Sequence, residues 1–318
     1  MSAAAGAAPT RSDAAALRLR GVVLAVVSAV TFSTLGLFAK LAYSQGMVPA
    51  QALAWRFSLA ALILWAIVLA RGGQHRPARE YRNALLLGVL GFSPQAGLYF
   101  VAVKFLDPGI ASLLLYLYPA FVVGLSLVFL KRRPRRAQLA ALVASGIGCV
   151  LTLWTRGNYP AIGYAFGLAV AVSYAGYLVA GERVLATLDP VFATTNVMSA
   201  AAVVYWIITL ASGAFFLPST PLAIAGIIGI ATIGSVIPII TLFASIRLIG
   251  SADASLVSTI EPLCTVLLSA LLLGERFTAL QLAGGALILA GVVILNVRPR
   301  RHPSGATVTT VTTLPPPL

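Results

Sequence analysis

Charge is what this sequence has least of. Only 9% of its 318 residues are Asp, Glu, Lys or Arg, where a soluble domain carries about 25%, so a water-facing globular surface is excluded. Cysteine is nearly absent. Cys149 and Cys264 each fall well inside an apolar run, where a thiol behaves as a small apolar side chain, so no disulfide framework exists and both are expected to be free and buried. There are two histidines, His75 and His302, in an expected loop and tail, and no His-Glu-x-x-His pair, so no metal site is expected. No Gly-Lys-Ser/Thr phosphate loop occurs and no soluble stretch is long enough to hydrolyse ATP, so no cofactor is expected and any driving energy comes from a gradient or from the solute itself.

Apolar sequence is what remains. Hydrophobic residues make up 59% of the chain, in runs near the roughly 20 residues a helix needs to cross a bilayer. Ten spans are expected, at about 20–43, 50–70, 83–105, 109–130, 137–155, 161–181, 191–212, 222–246, 253–273 and 278–297. The expected fold is an all-α integral membrane protein. Residues 1–19 and 298–318 are expected to be disordered cytoplasmic tails, because they carry too little apolar surface to fold.

Orientation follows from the basic residues, which stay cytoplasmic when they flank spans. With the N-terminus inside, seventeen of the 22 Lys and Arg fall on the inner side, and Lys40, Lys104, Arg156 and Arg276 fall outside. Arg56 alone lies within a span. Both termini are therefore expected in the cytoplasm of a cell with a plasma membrane of bacterial inner-membrane type. The net charge of +14 is confined to short segments between apolar runs, so lipid headgroups and not nucleic acid are its expected partners.

The chain also repeats itself. Setting Tyr99–Leu151 against Leu242–Ile294, a displacement of 143, aligns 15 identical residues among 53 without a gap. They include Ala111-Ser112-Leu113 on Ala254-Ser255-Leu256, Pro119 on Pro262, Arg133 on Arg276, Gln138 on Gln281 and Gly148 on Gly291. At a displacement of 140, Ser33 and Gly36 meet Ser173 and Gly176, and Arg56 meets Asn196. The halves, 20–155 and 161–297, hold five spans each. An odd number makes the second copy enter from the opposite side, giving two inverted five-helix repeats, the recurring design of secondary transporters.

Asp253-Ala254-Ser255-Leu256, Glu261-Pro262, Leu273-Gly274-Glu275-Arg276-Phe277-Thr278, Gln281 and Gly291 resemble the EamA-type pattern of the drug/metabolite transporter superfamily. The resemblance implies ten membrane helices, cytoplasmic termini, a central cavity between the halves and transport of small metabolites, with amino acid export well represented. The first half departs at Lys131-Arg132, where the second has Gly274-Glu275, in keeping with a basic inner loop.

Glu261 is the one acidic residue deep in an expected span. A carboxylate there must face a cavity, find a partner or hold a proton. Two readings stay open: a substrate-amine contact or proton carrier, and a protonated side chain bonding backbone freed by Pro262. For Arg56 the alternatives are snorkelling to the outer interface or holding neighbouring carbonyls, and a cavity cation for a substrate carboxylate, with Asn196 as its neutral counterpart. Spans three and eight each carry a proline among polar residues, Ser93, Pro94, Gln95 and Tyr99 in one and Ser235, Pro238, Thr241 and Ser245 in the other. They are candidate cavity walls, with Pro94, Pro119, Pro238 and Pro262 as candidate hinges, against kinks that serve packing alone. Trp55, Tyr116, Tyr118, Tyr174 and Tyr177 offer either substrate contacts or interface anchoring. Tyr118 occupies the repeat position of Glu261, each directly before a proline. Asp107 and Asp253 are placed to cap spans four and nine. Gly163, Gly167, Ala171 and Ala175 form a smooth stripe for close helix packing or for dimerisation, so monomer and dimer both remain open.

The leading function is a secondary transporter of a small-molecule substrate by alternating access. A solute channel is the nearer alternative. An intramembrane enzyme is the remoter one, since Gly91-Phe92-Ser93 bears only a faint likeness to a serine-protease turn and no histidine base reaches it.

Overall fold

A computed structural model describes residues 11–73, 77–122, 124, 136–154, 159–185, 188–213, 215 and 217–296. Within these, the chain is a bundle of helices: α1 (Arg11–Ser33), α2 (Leu35–Ser44), α3 (Pro49–Ala70), α4 (Ala78–Leu87), α5 (Ser93–Phe105), α6 (Pro108–Leu115), α7 (Arg136–Trp154), α8 (Ala161–Leu185), α9 (Pro190–Ala211), α10 (Pro221–Ala231), α11 (Ile237–Ser258), α12 (Glu261–Leu273) and α13 (Ala279–Asn296). Prolines open α3, α6, α9 and α10, where the missing amide hydrogen is needed by no earlier carbonyl. Asp189 caps α9 by accepting from the amides of Val191 and Phe192 at 3.0 and 3.1 Å.

Many large apolar side chains point outward, Leu90 at 74% and Leu271 at 70% exposure, while the interior combines Phe57, Phe100, Phe192, Leu53 and Leu64 with many alanines and hydroxyl residues. An apolar exterior suits a hydrocarbon solvent, and the small interior residues allow close helix packing. Six helices are long and apolar enough to cross a membrane: Ala15–Ser44, Pro49–Ala70, Ala78–Phe105, Ala161–Ala180, Pro190–Ala211 and Pro221–Ile249. Pro108–Val122, Leu139–Thr152, Glu261–Leu273 and Ala279–Ile294 are apolar but only 10–17 residues long.

Helices that the repeat makes counterparts pack on each other: α3 on α9, α6 on α12 and α7 on α13. Between α3 and α9 the bond is reciprocal. Trp65 Nε1 donates to Ser199 Oγ at 3.0 Å, and Trp206 Nε1 donates to Ser58 Oγ at 2.8 Å. This relation, and the matching starts Pro49 and Pro190, set the displacement here at 141 and not 140. The counterpart of Arg56 is then Val197, and Asn196 answers to Trp55. Between α7 and α13 the backbones touch: a Cβ on Gly148 would lie 2.5 Å from the Gly284 oxygen, and one on Gly284 2.6 Å from the Gly148 oxygen.

Several expectations shift. Residues 11–19, expected within a disordered tail, already belong to α1, since Ala, Leu and Arg favour helix and no proline intervenes. Spans eight and nine are not separated at residues 246–253: α11 stays helical to Ser258. The first half breaks at Leu106-Asp107 because Pro108 disfavours a helical residue before it, and the second half has no proline at the matching place. Asp107 holds the N-cap position of α6 but gives no cap bond, because its carboxylate accepts from the Tyr159 hydroxyl. Asp253 lies inside α11 and pairs with Arg18 at 3.6 Å. Cys149 and Cys264 are free but only half-buried. Gly163 and Gly167 of the small-residue stripe pack against Phe105, Leu106 and Leu114, inside the bundle. The expected basic stretch 131–135, both histidines and the residues from 297 onward lie outside the described residues.

Candidate functional site

Besides a turn at Thr34 between α1 and α2, four interruptions of helical geometry fall beside the candidate prolines. Two are π-helical stretches, Gly88–Phe92 joining α4 to α5 and Thr232–Val236 joining α10 to α11, 144 residues apart. Each is followed by a proline, Pro94 and Pro238. A serine bonds back into each wide turn: Ser93 Oγ donates to the Gly88 carbonyl, which also accepts the Ser93 amide, and Ser235 Oγ donates to the Ile230 carbonyl, at 2.7 and 2.8 Å. The other two are turns. Tyr116-Leu117 ends α6 before helix resumes over 118–122, and Thr259-Ile260 separates α11 from α12. These turns match at the displacement of 143, and each precedes its proline pair, Tyr118-Pro119 or Glu261-Pro262. The four candidate prolines thus all stand where regular helix restarts.

Glu261 opens α12 and is partly buried, with part of its side chain bordering open space. A carboxylate at a helix start is favoured by the positive end of the dipole. Its Oε2 is 3.0 Å from the hydroxyl of Tyr116, which is also 3.2 Å from the carbonyl of Ser258.

Arg56 is 4% exposed and is therefore not snorkelling. Nε donates to Ser235 Oγ at 2.8 Å, and the guanidinium lies 4.8 Å from the centroid of Phe57 and 5.3 Å from that of Phe100. Among the described residues the ion pairs are Arg18–Asp253 and Arg247–Asp189, so no acidic side chain described pairs with Arg56. Tyr99 is buried on α5 within electrostatic reach of both Arg56 and Glu261.

Rings connect the two charges. Tyr116, Tyr118, Tyr174, Tyr177, Phe92 and Phe57 follow one another with centroid separations of 6.0, 4.7, 6.0, 5.6 and 5.6 Å, ending beside Arg56. The remaining candidates are less available. Asn196 Nδ2 donates to the Phe192 carbonyl of its own helix at 2.8 Å, and Thr241 Oγ1 bonds the carbonyls of Ile237 and Pro238 at 2.9 and 3.2 Å. Gln95 is buried on α5, and the Ser93 carbonyl accepts from Tyr205 at 2.6 Å. Sequence reasoning ranked Tyr116 with general aromatics and passed over Tyr205. Neither carries a sequence signal of its role, since the carbonyls they bond lie 142 and 112 residues away.

The loop after α12 folds over the start of α6. Gly274 takes a left-handed φ of 68°, and Phe277 packs against Gly109, where a Cβ would lie 2.6 Å from the ring. Burial first, then the Asp107 charge, push the carboxyl of Glu275 up to about 7, against hydrogen bonds and the pull of Lys40. Tyr159 is raised by burial and by its bond to Asp107.

The model of the EamA-like transporter family matches the chain twice, over residues 19–154 and 161–297. The uncharacterized transporter YcbK of Bacillus subtilis is 28% identical over 83% of this chain and 88% of its own. The uncharacterized inner membrane transporter YicL of Salmonella typhimurium is 26% identical over 90% and 98%. A solved crystal structure shares the fold at a TM-score of 0.60 and 22% identity, covering 90% of this chain and 97% of that one.

Proposed function

Because the chain belongs to the EamA-like transporter family, we propose that it exports small metabolites, amino acids or related compounds among them, across a bacterial inner membrane by alternating access. The arrangement is ten membrane-crossing helices in two inverted five-helix repeats with both termini cytoplasmic. The observation that carries this reading is the pair of matched breaks before Tyr118-Pro119 and Glu261-Pro262. Backbone that leaves helical geometry at membrane depth is tolerated where protein or a water-filled cavity satisfies it, and broken helices of paired repeats are where secondary transporters bind solute.

The chemistry at the breaks supports a zwitterion. Arg56 offers a guanidinium with one nitrogen anchored on Ser235, leaving its terminal nitrogens for a substrate carboxylate. Glu261 borders open space and offers an acceptor for an amine. The aromatic row between them supplies faces for the solute body. Related proteins are named transporters, which favours transport over catalysis.

The test is counterflow. Purified protein in liposomes, loaded with unlabelled amino acid mixture, should accumulate labelled amino acids saturably. Ohmic single-channel current without saturable exchange would overturn the reading.

A further inference from the structure

Pro262 has no amide hydrogen, so the carbonyl four residues earlier, that of Ser258, loses the helical donor it would otherwise have. Tyr116 reaches this carbonyl from the other half, at 3.2 Å, while standing 3.0 Å from Glu261 Oε2. A phenol has one proton. Faced with two acceptors, it completes two ordinary hydrogen bonds only if one of them brings a proton of its own.

That requirement makes the geometry depend on Glu261. When Glu261 is neutral, its O–H donates to the Tyr116 oxygen, and Tyr116 donates to Ser258. When Glu261 releases its proton to water, the charged carboxylate accepts the single Tyr116 O–H hydrogen bond, because charge-assisted bonds are the stronger ones. The Ser258 carbonyl is then left without its donor at the end of α11, where an unmet polar group is costly. The other titratable groups within electrostatic reach of Glu261 are Tyr99, Tyr118, Tyr174 and Cys264, and among the described residues no Lys or Arg pairs with it.

We infer that Tyr116 is a positioning residue: it senses whether Glu261 holds a proton and converts that into tightening or release of the helix break at Thr259-Ile260. The inference rests on the carrier reading above, in which Glu261 faces the cavity, and it adds proton coupling through a named bond. Nothing in the sequence repeat marks this role, since the counterpart of Tyr116 is a threonine.

The experiment is amide hydrogen exchange on the full-length protein in lipid nanodiscs, following residues 257–263 from about pH 5 to about pH 9, corrected for intrinsic exchange. Protection in the wild type should fall about tenfold in one titration step. Glu261→Gln should stay protected throughout, because a carboxamide donates to Tyr116 as the acid does. Tyr116→Phe should lose the step, with low protection at both ends, while the infrared band of the protonated Glu261 carboxyl persists. A step that survives in Tyr116→Phe, or a Glu261→Gln protein that keeps the wild-type step, overturns the inference. Counterflow is read separately: a step without saturable exchange sinks the carrier reading alone, and exchange without the step sinks this one alone.

Discussion

Arg56 and Ser235 join the two halves by a single 2.8 Å bond at a point where the second half is π-helical. The serine thereby holds one guanidinium nitrogen and fixes the plane of the rest, between the rings of Phe57 and Phe100.

A planar fork grips a carboxylate with two bonds, and an ammonium cannot reproduce it. Arg56→Lys should therefore raise the KM for exchanged amino acids about tenfold, or about 1.4 kcal/mol, with the maximal rate little changed. The corresponding decarboxylated amines should be unaffected. Counterflow over a range of concentrations checks both, and equal effects on acid and amine would remove Arg56 from carboxylate binding.

Packing of the loop after α12 should depend on pH through Glu275. Its carboxyl is raised from 4.5 to about 7 in the packed state, so the packed state binds the proton more tightly than a released loop does. The packing is strongest below about 4.5, weakens as pH climbs toward about 7, and is constant above that. Partial exposure of the group softens the effect. An environment-sensitive dye on Thr278→Cys should report the transition, and adding Glu275→Gln should flatten it.

Two glycines on α7 separate close approach from propensity. A Cβ on Gly148 would meet backbone atoms of Gly284 and Ile288 at 2.5 and 2.8 Å, whereas one on Gly146 meets nothing within 4 Å. Gly148→Ala should cost about 1–3 kcal/mol by forcing the helices apart, and Gly146→Ala should be neutral or stabilising by up to about 1 kcal/mol. Thermal unfolding in detergent distinguishes them, the first variant melting lower and the second not.

The reciprocal tryptophan bonds give a symmetry test. Trp65→Phe and Trp206→Phe each remove one indole donor to a serine, so each should lower stability by about 0.5–1.5 kcal/mol. The two losses should be similar, and a large difference in denaturation midpoints would mean that the clasp is not shared evenly.

Helical class, apolar lining and the repeat were legible because lipid leaves few alternatives and because Pro119 and Pro262 align. The register of α3 on α9 was legible too, though a match at 140 through Ser33, Gly36 and Arg56 obscures it: at 141, Pro49, Ser58 and Trp65 fall on Pro190, Ser199 and Trp206, and the Trp–Ser bonds join those same residues. The π-helical stretches were hidden. Pro94 and Pro238 announce a disturbance of the helix but not that each is preceded by a wider turn closed by a serine. Tyr116 was illegible for a different reason: its meaning lies in a carbonyl 142 residues away.

The contact of Gly148 with Gly284 is bare backbone against bare backbone. The side chains beside it are held close as well: Thr152 Oγ1, bonded to the Gly148 carbonyl, would lie 2.5 Å from a Cβ on Gly284, and two turns further along α13 Gly291 lies against Ser145. Under the proposed alternating access, motion between the halves would therefore have little play at this seam, which would work as a fulcrum, with displacement growing with distance from it toward the broken helices and the charges they hold.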